Sequence, residues 1–325
     1  NNDGVWNETP YHIHIKVVPP FWRTIWFYIL VSVIGIVGII LFIQMRTRAV
    51  KRENKILENK VNERTKELAE KNRDITSSIE YAKRIQEAIL PAKDQIFSSF
   101  QNAFILYKPK DIVSGDFYWY GVKNGQKIFA VVDCTGHGVP GAFMSMIGHN
   151  ILNQIVIENG ITDPEKILSQ LHVGVQQALK QGQNQVNTND GMDVSMISVN
   201  EKSGEVTWAG AFRPVVILRA DGELEKVDGN KSSVGGAQND MDRKFTTHVL
   251  KLNKKDTIYL YSDGYADQFG GEKGKKYMVK RFNDLLCANY MYSLNEQQKE
   301  LENTFEQWRG NHEQVDDVLV VGIRF

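Results

Sequence analysis

Two cysteines, Cys134 and Cys287, are all that the 325 residues contain. A disulfide-stapled scaffold and a cysteine-built zinc cluster are both excluded. An excess of charge of one sign is also missing, because 39 Lys and Arg balance 39 Asp and Glu. A protein that binds nucleic acid broadly should carry a basic excess, so that class is set aside. No histidine lies between His14 and His137. The densely charged stretch after residue 45 therefore lacks the phosphoacceptor that a sensor kinase would carry there. Composition is 42% hydrophobic and 24% charged, which excludes wholesale disorder. The first residue is Asn1 rather than Met, as expected of a piece of a longer chain.

What is present is strongly segregated. From Ile25 to Ile43 nineteen residues carry no charge. At helical rise they span roughly 28 Å, close to a hydrocarbon core of about 30 Å. Trp22, Trp26, Phe27 and Tyr28 gather at one end, as an interfacial aromatic belt does. Arg46, Arg48, Lys51 and Arg52 follow the other end. The positive-inside rule then places the C-terminal side in the cytoplasm, giving a single-pass protein of the inner (cytoplasmic) membrane. Before the span, Tyr11, Ile13, Ile15 and Val17 alternate with His12, His14 and Lys16, and Pro19–Pro20 stops the pattern. This predicts one strand of an outer domain whose remainder is missing, because a lone strand is not stable. His12 and His14 share one face of that strand, which reads as a solvated face rather than a metal site.

Beyond the span, Val50, Asn54, Leu57, Val61, Arg64, Leu68, Lys71, Ile75, Ser78, Ala82, Ile85 and Ile89 follow a 4-3-4-3 spacing. No Gly or Pro interrupts it before Pro91. The pattern predicts a parallel coiled-coil homodimer, with polar seam residues fixing register and costing stability. Such a marginal rod suits a signal carrier, which needs two packings of similar energy.

From about residue 100 the chain looks globular. Strand-like runs appear at 103–107, 117–121, 127–132, 194–199, 205–209, 215–219, 246–252, 257–261 and 318–325. Helical runs appear near 141–158, 164–181, 276–290 and 294–309. Strands come in adjacent pairs and helices in blocks, so the class is α+β with mainly antiparallel sheets. The organisation expected is 1–20 as the end of an outer β-sandwich, 21–44 as the membrane helix, 45–91 as the coiled-coil helix and 92–325 as a catalytic domain.

Carboxylates recur at the strand ends. Ser114-Gly115-Asp116-Phe117 opens one strand, and Val132-Asp133-Cys134-Thr135-Gly136-His137-Gly138 closes another. Leu260-Tyr261-Ser262-Asp263-Gly264 closes a third, and Asp316-Asp317-Val318 opens the last. One Asp-Gly turn is ordinary turn chemistry. Four together would repel unless a hard cation such as Mg²⁺ or Mn²⁺ joined their oxygens.

The order Gly-Asp-Phe, Asp-x-x-Gly-His-Gly, Ser-Asp-Gly-x-x-Asp and Asp-Asp before a final strand resembles the metal-dependent Ser/Thr phosphatases. These form the PPM, or protein phosphatase 2C, superfamily, and the likeness is to its sporulation protein E branch. The resemblance covers about residues 80–325, including Ile85-Gln86-Glu87-Ala88-Ile89-Leu90-Pro91. Gly210-Ala211-Phe212-Arg213-Pro214 fits the family's strand-end signature. The front stretches Asn-Asp-Gly-Val-Trp and Pro-Pro-Phe-Trp resemble the end of the β-sandwich that follows two-component-regulator propellers.

The resemblance implies a four-layer α-β-β-α sandwich with two Mn²⁺ or Mg²⁺ ions. Asp133 would bridge both ions, with the backbone carbonyl of Cys134 on one, while Asp263 and Asp316 hold the other. Asp116 would serve as ligand or as acceptor from metal water. Asp316 is chosen over Asp317 by position in the family's acidic pair. Asp133 and Asp263 would be the residues on which catalysis depends, by a metal-activated water attacking phosphorus with no phosphoenzyme. The Cys134 thiol would then be packed rather than reactive.

The chain departs from the family at two places. His137 lies four residues after Asp133 rather than two, so it reads as shaping the turn. No hydroxyl follows the last acidic pair in Asp317-Val318-Leu319. Asp190 and Asp193 read as a loop-to-strand turn, and Gly270–Lys276 lacks the spacing of a nucleotide loop. The substrate implied is a phosphorylated regulatory protein such as an anti-sigma-factor antagonist. The other reading is a non-catalytic membrane relay that keeps the fold only to bind a partner. Loss of metal aspartates would mark that relay, and none of the four positions is lost.

Overall fold

Residues 45–89 lack glycine and proline, and nothing in them breaks a helix. In the computed structural model a single helix, α1, runs from Ile25 to Ile89, so the apolar and heptad stretches are one element. The structure describes residues 10, 12–181, 189–236 and 242–325. Tyr11, the Asn-Asp-Gly-Val-Trp stretch and part of the expected outer domain lie outside the described residues. Residues 12–20 carry no regular structure, so the described part of the expected strand, 12–17, is unpaired here. A β-ladder needs a partner to accept its hydrogen bonds, and the alternation alone supplies none.

The chain divides into two units, 1–74 and 75–325. In the first, the side chains from Val31 to Ile43 are exposed. This is a helix long and apolar enough to cross a membrane. Further along, Arg64 and Lys71 both pair with Glu67, at 2.6 and 3.0 Å, as i,i+3 and i,i+4 neighbours do on an exposed helix.

The second unit carries the sandwich. After α2 (Lys93–Ser99) come β1 (Ala103–Lys108), β2 (Phe117–Lys123) and β3 (Gln126–Cys134). Helices α3 (Gly138–Leu152) and α4 (Pro164–Ala178) follow, joined through a π-helical turn at Asn153–Glu158. Strands β4 (Gly191–Asn200), β5 (Val206–Ala211), β6 (Val215–Leu218), β7 (Leu224–Val227), β8 (Val234–Gly235), β9 (His248–Leu250) and β10 (Thr257–Tyr261) come next. The chain ends with α5 (Gly264–Asp267), β11 (Phe269–Gly270), β12 (Lys275–Lys276), α6 (Val279–Ala288), α7 (Leu294–Arg309) and β13 (Val318–Arg324).

Two antiparallel sheets result, in the orders β1-β13-β10-β6-β7 and β2-β3-β4-β5-β9. Phe129, Val131, Ile197 and Trp208 of one sheet meet Ile105, Ile258, Leu260, Leu319 and Val321 of the other between them. Outside the second sheet, Ile128, Ala130, Val132, Val194 and Met196 pack on Met144, Leu168 and Leu171 of α3 and α4. Outside the first, Phe104, Tyr259, Val318 and Val320 pack on Phe282, Leu301 and Phe305 of α6 and α7. The strands are buried on both faces, which is why they read as continuous apolar runs rather than alternating ones. The architecture is therefore an α-β-β-α sandwich of four layers. Ser293 caps α7 with a reciprocal capping box to Glu296, fixing its start. The helix expected from residue 276 begins only at Val279, because Lys275–Lys276 pair with Phe269–Gly270 in a short hairpin.

Candidate active site

Register decides which aspartates meet. In β3 and β4, Asp133 lies opposite Asp193 and Cys134 opposite Met192. Phe117 pairs with Val132, so Asp116 enters beside Asp133 at the same sheet end. In the other sheet Tyr261 pairs with Val320, which brings Asp263, after β10, next to Asp316 and Asp317, before β13. Both sheets thus present their acidic ends to one another, and the Asp263 amide lies 3.5 Å from Asp133 Oδ2.

Close backbone approach builds the floor. A Cβ on Gly115 would sit 2.3 Å from the Gly136 carbonyl oxygen, and one on Gly141 would sit 2.2 Å from the same atom. Only glycine allows the loops of Asp116 and Asp133 and the start of α3 to meet this closely. Asp317 fastens the Asp116 loop: its Oδ1 accepts from the Lys110 amide and its Oδ2 from the Gly115 amide, each at 2.7 Å. Gln86 of α1 holds the same loop from the other side. Its Nε2 donates to the Ser114 carbonyl at 2.6 Å and to Ser145 Oγ at 2.8 Å, while its Oε1 accepts from the Ser114 amide at 3.1 Å.

The electrostatics follow from burial. Asp116 is held well above the usual carboxylate range, first by burial and then by the charge of Asp133. Its Oδ2 is buried with no hydrogen-bond partner. Burial pushes Asp133 up to about 7, although Arg213 acts against the shift. Asp193 and Asp316 are also raised, by burial before all else. The Cys134 thiol is buried and pushed well above its ordinary value by burial and by Asp116. It is therefore no nucleophile.

Of the residues singled out from sequence, Asp116, Asp133, Cys134, Asp263 and Asp316 all lie at this end of the sandwich. Asp317 is turned into backbone hydrogen bonds, whereas Asp316 feels the charge of Asp263. Asp193, read from sequence as a turn residue, belongs to the cluster. His137 precedes α3, where Lys110 Nζ donates to its Nε2 at 2.9 Å and its Nδ1 contacts Asp111 Oδ2 at 2.7 Å. Sequence reasoning passed over Arg213, whose Nη2 bonds Asp133 Oδ2 at 2.7 Å and Asp263 Oδ2 at 2.6 Å. The signal available was its place in the Gly210–Pro214 strand-end signature; the acidic residues it meets are brought there by the fold. Among the described residues, no three His, Cys, Asp or Glu side chains stand as placed in a metal-holding geometry. The donor set still fits hard divalent cations: several carboxylates share one buried end, and the orphaned Asp116 oxygen lacks any other partner.

A four-layer sandwich with aspartates converging at one end of its paired sheets has the fold of the protein phosphatase 2C class. The chain belongs to the stage II sporulation protein E (SpoIIE) family, whose model matches residues 123–325. It is similar to the SiaA-PP2C domain of Pseudomonas aeruginosa, at 31% identity over 78% of this chain and 98% of that one, with a TM-score of 0.70. The fold also matches the RsbU and RsbW domains of Rv1364c from Mycobacterium tuberculosis, at 21% identity and a TM-score of 0.52, over 68% of this chain and 59% of that one. A third match is the PP2C phosphatase domain, with a fragment of the regulatory domain, of SpoIIE from Bacillus subtilis. It has 18% identity and a TM-score of 0.54, over 69% of this chain and 61% of that one. No curated protein matches the chain.

Proposed function

We propose that the chain is a membrane-anchored, metal-dependent protein serine/threonine phosphatase acting on a phosphorylated regulatory protein. The observation that carries this reading is the convergence of Asp116, Asp133, Asp193, Asp263 and Asp316, with an orphaned buried oxygen among them, in a SpoIIE-family fold. Two divalent cations there would neutralise phosphoryl charge and acidify the attacking water. Asp133, whose Oδ2 lies 3.5 Å from the Asp263 amide of the other sheet, would help hold both cations, and Asp263 and Asp316 would help hold the second. Asp317 acts through the backbone, holding the Asp116 loop at its distance from Asp133. The Cys134 thiol stays protonated and packed.

The partner is a small phosphoprotein of the anti-sigma-factor-antagonist kind, bound by surface around the acidic end. That surface includes the described parts of 229–244 and the loop at Lys273–Lys276. Lys276 is partly committed, because its Nζ pairs with Asp267 at 2.8 Å. Lys273 and Lys275 are therefore the better candidates for substrate contact. Regulation runs through α1: a membrane span at Ile25–Ile43, a dimeric heptad rod, and then Gln86, which touches the Asp116 loop. The test is hydrolysis of a phosphoserine protein and a phosphotyrosine peptide by the full chain in detergent, with Mn²⁺ and with excess chelator. Mn²⁺-dependent release of phosphate from phosphoserine is expected. Equal turnover in chelator, or preference for phosphotyrosine, refutes the reading.

A further inference from the structure

Arg213 stands in the turn between β5 and β6, on a backbone that is tightly fixed. Its own amide donates to the Ala211 carbonyl at 2.7 Å, and the Phe212 amide donates to the Asn230 carbonyl at 2.8 Å. Phe212 holds φ at 63°, a left-handed conformation uncommon for a bulky residue. The backbone here is pinned, so a movement of this residue is a movement of its side chain. Its Nη2 reaches Asp133 Oδ2 at 2.7 Å, Asp263 Oδ2 at 2.6 Å and Asp193 Oδ2 at 3.4 Å. One guanidinium therefore joins carboxylates of both sheets. Its Nε is buried and makes no hydrogen bond.

These are the same oxygens that a divalent cation would need. Two cationic groups cannot share them at such distances, since each would be repelled by the other in a partly buried site. Arginine cannot yield by losing its proton. Burial opposes its charge, but Asp133 and Asp263 more than offset that. It must leave as a cation, and a partly buried cation needs another anion. A phosphoryl group is the anion brought to this place, and the planar guanidinium fork suits two of its oxygens. A cavity of about 350 Å³, lined by Phe212, Lys231, Ser232, Ser233, Gly236 and Arg243, opens beside Phe212, the chain neighbour of Arg213.

We propose that Arg213 is a resident counter-ion that divalent cations displace from Asp133 and Asp263, and that the displaced guanidinium then binds the phosphoryl oxygens of the substrate. The inference rests on the phosphatase reading for its second half. Arg213 would thus join the two requirements for turnover, so that the loaded centre is also the one with a free phosphate clamp.

The test uses the full chain in detergent, stripped with chelator, with R213Q and R213K. Mn²⁺ binding is measured by calorimetry without substrate, and thermal midpoints are read with and without Mn²⁺. R213Q should bind Mn²⁺ roughly tenfold more tightly or better, because one competing charge-assisted contact is gone. Its stripped midpoint should fall while its Mn²⁺-loaded midpoint matches the wild type. R213K should lie between, since an ammonium is a point charge without the fork. Inorganic phosphate should bind Mn²⁺-loaded R213Q about tenfold more weakly than wild type. If R213Q folds only with Mn²⁺, the counter-ion role is supported. If it fails to fold even with Mn²⁺, or binds Mn²⁺ no more tightly, that role is overturned. Unchanged phosphate affinity overturns the clamp. Absence of hydrolysis by the wild-type chain, alongside tighter Mn²⁺ binding by R213Q, would refute the phosphatase reading and leave the counter-ion role standing. Absence of Mn²⁺ binding in wild type and R213Q alike refutes both.

Discussion

Replacing Asp317 with Asn changes a single oxygen to an amide nitrogen at a buried junction. Asp317 is 2% exposed, and its two oxygens each accept a backbone amide at 2.7 Å, from Lys110 and from Gly115. A hydrogen bond to a charged group contributes about 1.5–3 kcal/mol, and a neutral one about 1 kcal/mol. Asn can keep one bond as a neutral acceptor, while its NH₂ group faces the second N–H and leaves it buried and unsatisfied. The net loss is therefore about 2–5 kcal/mol. Removing the charge also relieves repulsion on Asp116, which Asp317 helps to hold high after burial and Asp133. That relief is the smaller effect, because burial and Asp133 come before Asp317 among the causes of the Asp116 shift. Denaturant titration can follow the fully buried Trp119 and Trp208. Hydrogen exchange at the Lys110 and Gly115 amides should accelerate more than at strand amides such as Val131. A loss below about 0.5 kcal/mol with unchanged exchange at both amides would refute the reasoning, since that is the range of an ordinary surface substitution.

Other outcomes can be checked in parallel. Asp133→Asn should lower Mn²⁺-dependent turnover by more than about a hundredfold, since outer-shell changes alone cost up to that much; a smaller effect on kcat/KM argues against a bridging role. Gly141→Ala should destabilise the domain and disturb the site, because its Cβ would meet the Gly136 carbonyl oxygen at 2.2 Å; an unchanged Tm refutes the close approach. His149 is buried, and burial lowers its pKa below the ordinary 6.5, so the unfolded chain takes up its proton first. Stability from this group is full above pH 6.5 and is lost as pH falls through that value towards the lower folded pKa; His149→Gln should flatten this fall in denaturant midpoints. In the rod, a single cysteine at position 68 should crosslink between chains more readily than one at 66 or 70, and Leu68→Asp should weaken dimerisation. Equal crosslinking at all three positions would remove the seam.

Local chemistry was enough to read much of this protein from its residues. The uncharged run from Ile25 to Ile43 and the unbroken 50–89 stretch announce a long helix because helical periodicity is set by nearest turns. Strands such as Thr257–Tyr261 and Val318–Arg324 are nearly continuous apolar runs, and that pattern survives burial on both faces. The order of Asp116, Asp133, Asp263 and Asp316 was enough to suggest a family. The short pairings were not legible: β8, β11 and β12 have two residues each, too few for any period to show. The alternation at 11–17 forms no ladder within the described residues 12–17, because a strand exists only where another edge accepts its hydrogen bonds. The division of labour between neighbours was likewise hidden. Asp316 and Asp317 are adjacent in sequence, yet Asp316 accepts from the Asp317 amide and feels the charge of Asp263, while Asp317 takes the Lys110 and Gly115 amides. Asp193 entered the cluster through its register opposite Asp133, and Arg213 through a turn that aims it across both sheets. Sequence fixes what each residue is able to do within a few positions of itself. Which charges share the same few ångströms is set by pairing between strands far apart in the chain, and only the folded sandwich decides it.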